Sequence, residues 1–494
     1  MVAGAWLGLE KSTMPTMTQE KSLDLRGETT ESSPYTIEHW EPEDAAFWNA
    51  TGKRIANRNL VFSIFVEFLG FSVWQVWSAV AAQLPNVGYA FSVNQLFWLA
   101  ALPGLSGATL RIPYGLAVSM FGGRNWTLVS AALLLIPATG LAFAVQSVDT
   151  PYWIFLVLAF VAGFGGGNFA SSMANIQFFF PQKKKGLALG LNAAGGNIGV
   201  SVVQFIVPLV IASSIFGSLG GGAQVAHVKG VTKTLYLQNA ALIWVPFILL
   251  GLITSWFLMN NLRVAKASLK EQLPILKNKH NWIMSWLYLG TFGSFIGYSA
   301  GFPLLIKSQF PGVNPLQFAF LGPLVGSVVR PIGGWLADKL GGAVVTFWNF
   351  LVMSLALSGV IYFVVHKTDP GAFSGFFAMF LILFVAAGIG NGSTFRMIPI
   401  IFRTLKLRSH TGIKEGSPAY QTAIKIANKE SSTIIGFVSA MAAYGAFFVP
   451  KSYGTSINLT GTPVAALATF LAFYGTCLYI TWRYYARKRA EIPC

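Results

Sequence analysis

Apolar residues along this chain gather in long blocks broken by short polar or Gly/Pro stretches. Leu60 to Val80, Leu128 to Val145 and Val344 to Val365 each approach or exceed the roughly 20 residues with which an α-helix crosses the hydrocarbon core of a bilayer. Glu67 is the only charged side chain within those three blocks. A soluble protein with buried core helices would show shorter runs and more polar helix faces. The pattern predicts twelve spans, near 58–82, 96–120, 126–146, 151–180, 187–214, 236–260, 281–305, 316–338, 344–366, 372–402, 431–450 and 462–484. Around them it predicts a cytoplasmic tail over 1–55, a six-helix half over 56–260, a connector over 261–280, a second half over 281–484 and a short tail over 485–494. The fold class expected is an all-α membrane protein seated in a lipid bilayer.

The halves repeat one another. Gly107-Ala-Thr-Leu-Arg111-Ile-Pro-Tyr-Gly115, running on to Gly122-Gly123, reappears as Gly326-Ser-Val-Val-Arg330-Pro-Ile-Gly-Gly334 and Gly341-Gly342. Gly163-Phe-Gly165-Gly-Gly167 reappears as Gly388-Ile-Gly390-Asn-Gly392. The first pair falls in spans two and eight, the second in spans four and ten. Two parallel repeats of this kind place a substrate site where they meet, near the midplane. Gly334-Trp-Leu-Ala-Asp338-Lys-Leu-Gly341-Gly resembles the inward loop motif of the major facilitator superfamily, with Ser119 standing where the first copy would carry the Asp.

Composition agrees with the membrane reading. Hydrophobic residues make up 54% of the chain and charged ones 10%, against about a quarter charged in soluble domains. The formal charge of +17 does not point to nucleic acid, because the basic residues sit at the ends of spans. With the N-terminus inside, outward loops hold only Lys229, Lys233, Lys307, Lys367 and Lys451, and Arg111, Arg330 and Arg396 lie within spans. The remaining 26 of the 34 Lys and Arg are inward. This asymmetry places both ends in the cytoplasm. No basic n-region precedes the short apolar stretch before Glu10, so no cleavable signal is expected, and Met14 and Met17 are alternative starts. Cys477 and Cys494 form no ligand cluster, and no metal or other cofactor is expected. None of the five His stands in a pattern that would serve an enzyme.

The chemistry lies in two buried arginines. Arg111 and Arg330 occupy matching places in the halves, and a charge at mid-membrane costs at least about 2.5–3.5 kcal/mol. Each must therefore face a cavity or a partner. From residue 59 to 262 the only acids are Glu67 and Asp149, so carboxylate partners are scarce. A guanidinium stays charged at any working pH, and its planar fork matches a planar oxyanion. Asn192 and Asn197, in a glycine-rich span five, are candidates either to hydrogen-bond an anion or to glue helices together. Tyr288 and Phe292, a turn apart, share one face of span seven.

Gly166-Gly-Asn-Phe169-Ala-Ser-Ser-Met-Ala-Asn175-Ile-Gln-Phe-Phe-Phe-Pro181 resembles the signature of the nitrate/nitrite porter family, as does Gly388-Ile-Gly-Asn-Gly392-Ser-Thr-Phe-Arg396-Met-Ile. Glu38-His-Trp-Glu-Pro-Glu-Asp-Ala-Ala-Phe-Trp further resembles the bacterial antiporters of that family, although Ala193 replaces an expected glycine. The resemblance implies a transporter of nitrate and nitrite in a bacterial inner membrane, working as a monomer. It implies that Arg111 and Arg330 grip the anion, that Asn197, Tyr288 and Ser439 contact it, and that Phe169 and Phe292 wall the site. Glu67 departs from the pattern. If it caps Arg111 or faces helix polar groups, nitrate/nitrite exchange is expected; if it faces the cavity, proton-coupled nitrate import becomes the alternative. Two arginines alone would also admit phosphate, and the signatures decide against it.

Overall fold

The computed structural model describes residues 35–228, 231–263, 277–409 and 417–494, together with the pairing of Ser22–Leu23 with Thr29–Thr30. The rest of the expected N-terminal tail, much of the connector over 261–280, and Lys229 lie outside the described residues.

Twelve long helical segments make up the body. They are α1 (Ala45–Val87), α2 (Val93–Phe121), α3 (Gly123–Ala144), α4 (Tyr152–Phe179), α5 (Gln182–Val210), α6 (Asn239–Leu258), α7 (Lys279–Gln309), α8 (Pro315–Leu340), α9 (Gly342–Val365), α10 (Ala372–Arg408), α11 (Pro418–Ala443, continued as Gly445–Thr460) and α12 (Val464–Ala486). Eleven of them contain a stretch long and apolar enough to cross a membrane. The other is α2, in which Arg111, Pro103 and Pro113 dilute a 29-residue helix. Its length still spans a bilayer, at about 1.5 Å per residue.

Several boundaries move from their expected places. The first helix begins at Ala45, α10 continues to Arg408, and α11 starts at Pro418 behind a Ser417 cap. These extensions are polar helix beyond the apolar block, which hydropathy does not register. The segment before α1 is also tied down: Thr36–Ile37 pairs in parallel with Asn261–Leu262, and Trp40 Nε1 donates to the Phe178 carbonyl at 3.0 Å. Between α5 and α6 an antiparallel hairpin joins Gln224–Val228 to Val231–Leu235, with Gln224 opposite Leu235.

The sequence repeats become matched backbone. Gly122 and Gly341, which turn α2 into α3 and α8 into α9, take φ of 86° and 89°, a region closed to most L side chains. The other glycine pair sets helix spacing. A Cβ on Gly107 would lie 2.9 Å from the Gly163 carbonyl, and one on Gly388 would overlap the Gly326 carbonyl. Small residues thus bring α2 against α4 and α8 against α10. In α5, Gly195, Gly196 and Gly199 pack on Ile64, Glu67 and Phe68 of α1, whereas a Cβ on Gly186 or Gly190 would meet nothing within 4 Å.

The halves touch unevenly. Lys307 Nζ donates to the Ala82 carbonyl and Asn86 Oδ1 at 2.6 and 2.7 Å, Lys451 Nζ reaches Asn94 Oδ1 at 3.2 Å, and Gln204 Nε2 reaches the Ser299 carbonyl at 2.8 Å. All these bonds lie on the side away from the chain ends, where Phe97 also packs on Tyr453. On the side of the ends, no hydrogen bond or ion pair joins the halves among the described residues. Apart from bonds at mid-helix, such as that of Arg111, the polar links between the halves among the described residues gather on the side away from the chain ends.

Candidate functional site

Arg111 stands midway along α2 and is 1% exposed. Its Nε donates to the Gly166 carbonyl of α4 at 3.2 Å. Its Nη1 crosses to the other half and donates to the Ser439 carbonyl of α11 at 3.0 Å. Its Nη2 is buried without a hydrogen-bond partner. The guanidinium lies over Phe169, 4.5 Å from the ring centre, and 5.3 Å from that of Phe292.

Arg330, 8% exposed on α8, is held less tightly. Its Nη2 donates to the Tyr288 hydroxyl at 3.4 Å, and its Nη1 has no partner. It lies 5.6 Å from the centre of the Phe395 ring.

Stacked aromatic rings connect the two cations. Phe169 and Phe292 face each other across the halves with centroids 6.3 Å apart, and Phe292 stacks on Tyr288 at 5.5 Å. Between Tyr288 and Phe292 the helix loosens into a π-helical turn, Leu289–Gly293. Such turns recur at functional sites because one extra residue re-aims the side chains around it. Two cationic groups, each with an unused donor, thus flank one aromatic wall with no carboxylate bonded to either. Buried polar groups nearly always find partners, so paired idle donors mark a place where an acceptor belongs.

The other residues expected here fall into three groups. Asn197 is buried with both side-chain polar atoms unpartnered. Its helix is tied to α7 by Gln204 and Ser299, which lie seven residues beyond Asn197 and Phe292 along their respective helices. Ser439 contributes differently from the expectation, because its hydroxyl bonds to the Gly436 carbonyl at 2.9 Å and its main-chain carbonyl meets Arg111. Asn192 goes elsewhere: its Nδ2 lies 2.7 Å from Glu67 Oε2 and 2.6 Å from Ser172 Oγ.

Glu67 does not cap Arg111. Its Oε2 accepts from Ser172 and Asn192, and its Oε1 has no partner. It is fully buried, and among the described residues it is the only buried carboxylate. Arg396 is not in the site. It pairs with Asp338 of the loop motif, both about half exposed.

Sequence reasoning missed Phe395 and Ser172. Phe395 lies under Arg330 as Phe169 lies under Arg111, and it sits in the second copy of the signature, one position out of register with Phe169. Alignment of the two copies could have found it. Ser172 carries no distinguishing signal among the serines around it.

A family model described as the Major Facilitator Superfamily matches residues 60–450. The chain is 47% identical to the nitrate/nitrite transporter NarU of Salmonella typhimurium, over 92% of this chain and 97% of the relative. It is 41% identical to a protein named probable nitrate/nitrite antiporter NarK2 from Thermus thermophilus, over 93% and 98%. Among solved structures, the xylose transporter XylE from E. coli in a partially occluded inward-open conformation aligns with a TM-score of 0.57, at 13% identity, over 86% of this chain and 97% of that one.

Proposed function

The chain belongs to the major facilitator superfamily, among its nitrate/nitrite transporters, and on that premise we propose that it exchanges nitrate for nitrite by alternating access, with the anion clamped between Arg111 and Arg330. The observation that carries this reading is the pair of idle donors, Arg111 Nη2 and Arg330 Nη1, on two buried guanidiniums that share one aromatic wall.

The chemistry follows from the groups present. A planar oxyanion offers in-plane lone pairs to two forked donors, one from each half. The Tyr288 hydroxyl can turn its proton toward the anion, because Arg330 already donates to its oxygen. Asn197 offers an amide donor at the same level. Phe169 and Phe292 exclude water, and lower local dielectric strengthens every charged contact. The protein takes a bacterial inner membrane as its site, with both ends cytoplasmic. The side on which the halves are linked then faces away from the cytoplasm, and the protein works as a monomer.

Exchange is favoured by what closure requires. Rocking the halves about an empty site would bring two cations together without an acceptor for their idle donors. A bound anion removes that cost in either direction, so return without cargo is slow. Glu67 turns both of its donors' hydrogen bonds inward, to α4 and α5, which favours exchange over a proton-carrying cycle.

Purified protein in nitrite-loaded liposomes tests this. Nitrate uptake that requires internal nitrite and ignores a pH gradient is expected. Equal uptake into empty liposomes, rising with an inward proton gradient, would replace exchange with proton-coupled import through Glu67.

A further inference from the structure

Glu67 takes no part in gripping the anion, yet it stands within electrostatic reach of both Arg111 and Arg330. It lies on α1, and its Oε2 receives Ser172 of α4 and Asn192 of α5. Ser172 is one turn beyond Phe169, the ring beneath the Arg111 guanidinium, and its hydroxyl also lies 3.4 Å from the Phe169 carbonyl. A helical turn of three residues advances about 4.5 Å, which puts the carboxylate on the order of 10 Å from an anion held at Arg111.

The geometry around the carboxyl suits its charged form. Two donors converge on Oε2, and an ionised carboxylate only accepts. A proton on Oε1 would find no acceptor, since that oxygen has no partner, and one on Oε2 would require the Ser172 hydroxyl to turn from donor to acceptor. The fold also makes room for the group: a Cβ on Gly196 would overlap the carboxylate. Glycine at this place in α5 is therefore what admits a glutamate on α1.

A charge count then follows. Arg111 and Arg330 contribute two positive charges to a buried site, and Glu67 subtracts one. A monoanion brings the sum to zero. A dianion leaves one net negative charge in a region with no other buried cation among the described residues beside Arg111 and Arg330, which burial penalises heavily. At about 10 Å and an effective dielectric of about 20, one unit charge alters the binding of another by roughly tenfold.

We propose that Glu67 sets the valence of the transported anion: by offsetting one of the two arginine charges, it fits the site to monoanions and rejects dianions of the same shape. This rests on Arg111 and Arg330 being the anion site and requires Glu67 to keep its charge through the cycle, so it does not hold where Glu67 carries a proton.

Chlorate and sulfite give the cleanest probes, because both are pyramidal three-oxygen anions that differ by one charge at alkaline pH. In nitrite-loaded liposomes at that pH, chlorate should compete with nitrate uptake by the wild type, and sulfite should not. In Glu67→Gln, which keeps the size and the acceptor for Ser172 and Asn192, the potency of sulfite relative to chlorate should rise at least tenfold. Ser172→Ala retains the charge and should leave the wild-type ratio in place. An unchanged ratio in Glu67→Gln would overturn the proposal, as would wild-type uptake driven by a proton gradient that Glu67→Gln abolishes. If Glu67→Gln does not transport, thermal stabilisation of the purified variant by sulfite, absent in the wild type, supports it; stabilisation by chlorate alone overturns it. Failure of the arginine site itself is separable, since Arg330→Lys would then leave chlorate competition intact.

Discussion

Arg111 and Arg330 occupy equivalent places in a repeated sequence, yet the molecule secures them differently. Arg111 spends two donors on main-chain carbonyls, one of them across the interface, and is 1% exposed. Arg330 has a single long bond to a phenol and is 8% exposed. Pseudo-symmetry of sequence supplies two like charges; packing makes one an anchor between halves and leaves the other free to adjust. The proposed alternating-access site would gain from that difference, with one arm holding the halves in register while the other yields.

Substitutions at the two positions should break the comparison most strongly. Replacing either arginine by lysine removes the fork and should lower nitrate exchange by about a hundredfold, given about 1.5–3 kcal/mol for each charged hydrogen bond lost. Arg111→Lys should also lower the thermal midpoint, because it strands the Gly166 and Ser439 carbonyls; Arg330→Lys should not. Exchange rates and melting curves on the same preparations read both effects. Gly388→Ala forces a methyl into the Gly326 carbonyl and should destabilise by about 1–3 kcal/mol, whereas Gly436→Ala, with open space around it, should leave the melting curve unchanged.

Smaller effects sharpen the picture. Tyr288→Phe removes the only hydrogen bond that Arg330 makes among the described residues and should raise KM for nitrate about five- to tenfold, with kcat less affected. Arg396→Ala, which breaks a half-exposed ion pair with Asp338, should cost under about 1 kcal/mol of stability and leave KM in place. At the chain end, the Lys279 ammonium and His280 hold the Glu491 carboxyl below its usual range. A depressed carboxylate pKa stabilises above the unfolded value and is lost as pH falls through the folded one. Glu491→Gln should therefore match the wild type in acid and fall slightly behind it near neutrality, which melting curves across pH would show.

Much of this was legible in the residues. Apolar blocks mark the spans, the repeated glycines mark the helix pairs that pack closely, and two arginines without carboxylates mark the centre of the candidate site. What stayed hidden depends on main-chain geometry. The carbonyls that hold Arg111 belong to Gly166 and Ser439, and carbonyls leave no mark in a sequence; Ser439 was expected for its hydroxyl, which bonds within its own helix. The π-helical turn that separates Tyr288 from Phe292 shows no more in Leu289–Gly293 than the partnership of Asn192 with Glu67 shows in the residues around either. α10 and α11 ran past their apolar cores because polar helix is silent to hydropathy.

Two lysines make some of the bonds that join the halves on the side away from the chain ends. Lys307 and Lys451 spend their ammonium groups on Ala82, Asn86 and Asn94 of the opposite half. When the halves part on that side, these bonds must break: Lys307 loses its partners in the opposite half, and Lys451 keeps only Thr455 of its own helix. Opening the gate and baring its positive charge are then a single event. The newly bared ammonium groups draw anions toward the mouth at the moment it can admit them, an attraction that salt would screen. Capture from that side should therefore slow as ionic strength rises, while release from the opposite side does not.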